Sequence, residues 1–114
     1  MVTIRRFLPL LAAAGLTITG LAITGTAGAQ TNDPSFRLTN NSAVVMNEIY
    51  VSSSNTDSWG PDRLGDRALG AGGVYVIRLP AGQCVNDIRV VYADGQASER
   101  RQVNTCSLTD IVFP

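Results

Sequence analysis

The sequence predicts an all-β fold: a single small antiparallel β-sandwich of about six strands, with one long loop and one disulfide. A small β-barrel is the alternative. Three observations predict this class. Short runs rich in β-branched residues recur between turn signals, and no segment has a convincing helical period or a helix-length apolar stripe. Asp94-Gly95, a strong hairpin signal, divides the stretch CVNDIRVVYADGQASERRQVNTC into two arms. The only two cysteines among the 114 residues, Cys84 and Cys106, lie at the ends of that stretch.

In chain order, residues 1–29 have the three parts of an export signal. Arg5 and Arg6 supply the positive start, Leu8 to Ile23 runs apolar and uncharged, and Ala27-Gly28-Ala29 is a small-residue cleavage site. Cleavage before Gln30 follows. A single membrane anchor is the other reading, but the run is shorter than the roughly 18 to 20 residues a span needs and is diluted by Gly and Thr. Arg5-Arg6-Phe7-Leu8 looks like a twin-arginine signal, with an ordinary secretory signal as the alternative. The protein is therefore expected to be exported, periplasmic or extracellular, with no membrane span after cleavage.

Removing residues 1–29 leaves 85 (114 − 29), with seven Arg (9 − 2) and nine Asp plus Glu, a net charge of −2. Such a chain has no basic excess for nucleic acid or anionic membranes. It is also short enough that a covalent staple helps, and two cysteines in an exported chain read as one disulfide, Cys84–Cys106.

Gln30 to Ser35 is polar and reads as a flexible lead-in to a domain over residues 36–114. Phe36 to Leu38 opens the first strand, Asn40-Asn41-Ser42 makes a turn, and Ala43 to Ser52 is the second strand, with Val45, Asn47, Ile49 and Val51 as its inward set. Asn40-Asn41-Ser42 also matches a glycosylation acceptor, a chance match in a chain with a signal of bacterial look. Val74 to Leu79 is a third strand with Tyr75, Ile77 and Leu79 on one face, and Pro80-Ala81-Gly82 turns it into the Cys84 arm. After Cys106, Ser107 to Asp110 is a short turn and Ile111 to Phe113 the last strand.

The hairpin register follows from charge. Loops of Asp94-Gly95 or Asp94-Gly95-Gln96 set Arg89 opposite Arg100 or Arg101, and like charges directly opposite destabilise an antiparallel pair. A loop of Ala93-Asp94-Gly95 instead sets Arg89 opposite Glu99, Asp87 opposite Arg101 and Val85 opposite Val103, with Gly95 in the left-handed position. That register puts Ser98, Arg100, Gln102 and Asn104 on the face of Ile88 and Val90. A strand so polar belongs at a sheet edge.

Residues 52–73, SSSNTDSWGPDRLGDRALGAGG, form the longest stretch without strand character, and loops of this length are usually functional or disordered. Trp59, Leu64 and Leu69 are its apolar anchors, Trp59 plugging the sandwich end or folding the loop back on the domain or, alternatively, stacking on a ligand. Asp66 to Leu69 has room for one helical turn. Asp57, Asp62 and Asp66 in the loop, with Asp87 from a neighbouring strand, are candidate oxygen ligands for calcium, although the spacing fits no EF-hand and Arg63 and Arg67 are interleaved. Trp59 and Asp62 are the candidate binding surface.

The ordered set Ile49-Tyr50-Val51-Ser52, Trp59-Gly60-Pro61-Asp62 with Leu64, Cys84 with Asp87-Ile88-Arg89-Val90, Asp94-Gly95 and Cys106 resembles a group of small exported bacterial all-β proteins of unknown function, with one or two such modules. The resemblance covers nearly all of residues 30–114. It implies a secreted β-domain and no assigned activity.

The chain has no His and no Lys, which excludes Ser-His-Asp and Cys-His nucleophilic catalysis, His-based metal sites and Schiff-base chemistry. A carboxylate pair, Asp57 with Asp62 or Asp87, is the remaining acid-base option, and so short a chain leaves little room for its substrate cleft. The expectation is a non-enzymatic interaction or structural module that binds a protein or envelope component. The alternative is a calcium- or small-ligand-binding module.

Overall fold

The computed structural model describes residues 30–114, and the export signal expected over 1–29 lies outside the described residues. Among the described residues six strands are present: β1 (Phe36–Asn40), β2 (Met46–Ser53), β3 (Val74–Ile77), β4 (Val85–Tyr92), β5 (Ala97–Asn104) and β6 (Asp110–Phe113), with a 3₁₀ turn at Thr105–Ser107 between the last two. They form two three-stranded sheets, ordered β3-β1-β6 and β2-β4-β5. Alternation decides which side chains face inward. Phe36, Leu38, Ile77, Ile111 and Phe113 from the first sheet meet Met46, Ile49, Val51, Ile88 and Val90 from the second in one core.

All pairings are antiparallel except one, since β6 runs parallel to β1. Parallel neighbours need a long crossover, and everything between residues 40 and 110 supplies it. Side-chain alternation is the same for either direction, so the sequence carried no sign of this pair.

The hairpin keeps the charge-compatible register near its turn, where Ile88 pairs with Arg100 and Arg89 with Glu99. β5 takes the edge of its sheet, where its polarity is tolerated. Farther along, Val85 pairs with Asn104 rather than Val103, because Asp87 faces two residues of β5 instead of one. This bulge places Gln102 at φ 55°, a left-handed conformation uncommon for a residue with a side chain. The shift carries the two arms to the Cys84–Cys106 disulfide, with Cα atoms 5.0 Å apart.

A second bulge, at Asn47 between the Met46–Tyr92 and Glu48–Val91 pairs, changes the face expected for β2. From Ile49 onward the inward set is as expected, but before the bulge Met46 is buried and Val45 and Asn47 point out. On β5 the inward-facing Arg100 reaches across to the first sheet, its guanidinium 4.2 Å from the Phe113 ring centroid and donating to the Val112 carbonyl. The position thus closes the gap between sheets instead of burying a charge.

Residues 30–35, expected as a flexible lead-in, are hydrogen-bonded to the body: Thr31 N–H to the Cys106 carbonyl (3.1 Å) and the Asn32 carbonyl from Gly82 N–H (2.9 Å), with Pro34 buried. Asn40, the acceptor in the glycosylation match, is fully buried. Its amide donates to the Val44, Leu69 and Gly70 carbonyls, so it is structural.

Candidate functional site

The long loop runs along the free edge of β2. Met46 and Leu69 exchange backbone hydrogen bonds at 2.9 Å each way, Arg63 N–H donates to the Ile49 carbonyl at 2.7 Å, and the Arg63 guanidinium reaches the Val51 and Arg78 carbonyls. Unpaired strand edges invite association with other chains, and here the loop occupies the edge. Leu64 and Leu69 are buried as expected of anchors. No helix forms at Asp66 to Leu69, because Leu69 is spent on the bridge to Met46.

Asp62 belongs to this seal. Its Oδ1 accepts from both Ile49 N–H and Leu64 N–H at 2.9 Å, tying strand to loop through one oxygen. Asp66 is exposed on the far part of the loop, and Asp57 is exposed near its start. Asp87 lies on the outer face of β4, buried beneath the loop. Of the four carboxylates named as calcium ligands, Asp62 and Asp66 therefore lie apart from Asp57 and Asp87, and among the described residues no group of three or more His, Cys, Asp or Glu is placed to hold a metal ion. As acid-base partners for Asp57, Asp62 and Asp87 are both already committed to backbone amides.

Asp87 is central to a different cluster. Its Oδ1 accepts from the Ser54 hydroxyl (2.7 Å) and from Gln102 N–H in the β5 bulge (2.9 Å), and its Oδ2 from the Arg101 guanidinium (3.2 Å). The Ser54 and Gln102 hydrogen bonds, with Arg101 adding less, outweigh burial and hold the Asp87 carboxyl below the usual carboxylate range. Arg101 also pairs with Glu99 (2.9 Å), which in turn pairs with Arg89. Hydrogen bonds from Arg89 and then Arg101 lower the Glu99 carboxyl as well.

Pinned between two carboxylates, the Arg101 guanidinium lies 4.8 Å from the Trp59 ring centroid. Trp59 does not enter the core. It stays half-buried on the outer face of the β2-β4-β5 sheet, where it lines a cleft of about 250 Å³ with Ser52, Ser54, Asp57, Asp87 and Arg101. Trp59, Asp87 and the polar edge strand, picked out separately in the sequence, thus meet in one place. Asp62 and Asp66 do not join them. Arg101 and Ser54 were missed as site residues. The hairpin register already set Arg101 opposite Asp87, but nothing in the sequence told that the Trp59 loop crosses that pair.

The described part of the chain is a disulfide-closed, two-sheet β-sandwich whose candidate site is a surface cleft of mixed charge. None of its helices is long and apolar enough to cross a membrane, among the described residues. No family model, no curated protein and no solved structure matches the chain.

Proposed function

We propose that the protein is an exported, non-enzymatic recognition module that binds a protein or envelope component through the Trp59 loop and the polar edge strand β5. The observation that carries the reading is the convergence of Trp59, Arg101 and Asp87 on one cleft. An aromatic and an arginine on a surface, both held in place before binding, are the side-chain types that dominate binding energy at interfaces. The Asp87 and Glu99 pairings orient Arg101 before a partner arrives, which limits the conformational entropy lost on binding. Export is supported by the pattern of residues 1–29 and by the disulfide, a bond that persists in oxidising compartments. The absence of His and Lys and the bonding of both cysteines support a non-catalytic role.

The test is site-specific photocrosslinking in the native envelope, with the probe at position 57 beside the cleft or at position 76 on the outer face of the other sheet. Adducts from 57 that are lost on Arg101→Glu, and absent from 76, are the expected result. Equal labelling from both positions, or none from 57, would overturn the proposal.

A further inference from the structure

We infer that β3 is a self-association edge: two copies of this chain pair β3 with β3 antiparallel and join their β3-β1-β6 sheets into one. A sheet edge presents unpaired backbone groups, and folded proteins blunt such edges with charge, bulges or cover. Of the edges of the two described sheets, all but β3 are blunted. The long loop lies on β2, β5 carries Glu99 and Arg101, and Arg100 donates to the Val112 carbonyl of β6.

The parity of the ladder shows which groups of β3 are open. Arg37 N–H donates to the Thr109 carbonyl on the β6 side of β1, and Asn40 N–H donates to the Gly73 carbonyl (2.9 Å) on the β3 side. Bonded and non-bonded pairs alternate along an antiparallel ladder, so β1 bonds β3 through the Leu38–Tyr75 and Phe36–Ile77 pairs. Val74 and Val76 therefore turn N–H and C=O away from β1, and among the described residues neither finds a partner there. Their side chains, on the outer face, are 53% and 47% exposed. A groove of about 300 Å³ beside the strand, lined by Arg63, Tyr75, Val76, Ile77 and Arg78, leaves room for another chain.

Symmetry selects a second copy as that chain. A two-fold axis at Tyr75 sets Val74 opposite Val76 of the second copy and Val76 opposite its Val74. The open groups then meet as reciprocal pairs of N–H···O bonds, and the valines of both copies pack on one face. In the same register Arg78 falls opposite Gly72, where a Cβ would meet nothing within 4 Å, so no like charges oppose each other. Head-to-tail pairing needs a different open edge, and the described residues supply only β3, so the contact closes as a dimer instead of growing into a filament. So short a strand buries less than the roughly 1,200 Å² of a stable interface, which makes the dimer weak.

Sedimentation velocity of the oxidised protein from about 20 μM to 1 mM should show the weight-average mass rising by about half or more, a range that brackets weak association. Val76→Lys, which puts a charge on the open edge, should keep the circular dichroism of the wild type and weaken the dimer at least about tenfold. Amide exchange at the high concentration should slow at least about fivefold at Val74 and Val76 and stay unchanged at Glu99 and Arg101 on the β5 edge. A monomer throughout the range, association undiminished in Val76→Lys, or unchanged exchange at Val74 and Val76 would each overturn the inference. So would a photoprobe at position 76 that labels another protein instead of a second copy. The recognition reading stands apart from this outcome, because the Trp59 cleft is on the other sheet and a self-adduct from position 76 contains only this chain, separable by mass from the adducts of position 57.

Discussion

Replacing Asp87 with alanine removes one acceptor that serves two donors. The Ser54 hydroxyl and the Gln102 amide both bond to Oδ1, and the second of these holds the left-handed residue of the β5 bulge in place. A buried donor left without an acceptor costs about 1 to 3 kcal/mol, so Asp87→Ala is expected to lose about 2 to 4 kcal/mol, with the Gln102 amide near the lower bound because that residue is exposed to water. Asp87→Asn keeps an oxygen for both donors and gives up the charge facing Arg101, a pair whose arginine is 58% exposed. Exposed pairs contribute little, and the expected loss is under about 1 kcal/mol. Urea denaturation at pH 7, followed by circular dichroism, measures both. Because the folded-state carboxyl is depressed below its unfolded value, its stabilisation is complete above that unfolded value and fades as pH drops beneath it. The gap between wild type and Asp87→Asn should therefore close below about pH 4. Equal losses for Ala and Asn, or a gap that widens in acid, would refute the assignment of Asp87 as the keystone of the bulge.

Three further outcomes are expected. Replacing both Cys84 and Cys106 with serine should cost about 3 kcal/mol by the loop-closure estimate for a separation of 22 residues, read as a fall in urea midpoint; an unchanged midpoint would contradict a stabilising role for the bond. Asp62→Ala leaves the Ile49 and Leu64 amides without their acceptor and should destabilise by about 1 to 3 kcal/mol, with faster amide exchange at both positions; unchanged exchange would mean that the loop does not depend on Asp62 to seal the edge. Tyr92 has a buried hydroxyl with no hydrogen-bond partner among the described residues, and burial raises its pKa, so Tyr92→Phe should be neutral or stabilising by up to about 1 kcal/mol; a clear loss of stability would show that the hydroxyl has a partner after all.

Strand positions were legible because β-branched alternation and turn residues are local signals. The edge placement of β5 was legible from its polarity, and its pairing near the turn from the cost of opposing Arg89 to another arginine. The bulges at Asn47 and Gln102 were not, since an extra residue in a ladder leaves composition unchanged while inverting every face beyond it. Val45 and Met46 exchange places for that reason alone. The acidic loop misled in another way. Asp62 is spent on the backbone of β2, a role visible only once the loop is known to lie there, and an aspartate bonding two amides reads in sequence like an aspartate awaiting a cation. Trp59 and Asp87 were each singled out in the sequence, but their meeting depends on Arg101 and on a crossing of loop over sheet that no local pattern encodes.

The parallel pairing of β1 with β6 also bears on when the protein can fold. Arg37 stands beside Asp110 and Asn40 beside Phe113, so β1, the first of the described strands, finds one of its two neighbours only after residue 113 has been made. Contacts so distant along the chain form late and slowly. Until then the faces of Phe36 and Leu38 lack the cover of Ile111 and Phe113, leaving a nascent chain open to chaperones. Shortening the chain by only the residues of β6 would leave it in that unfinished condition.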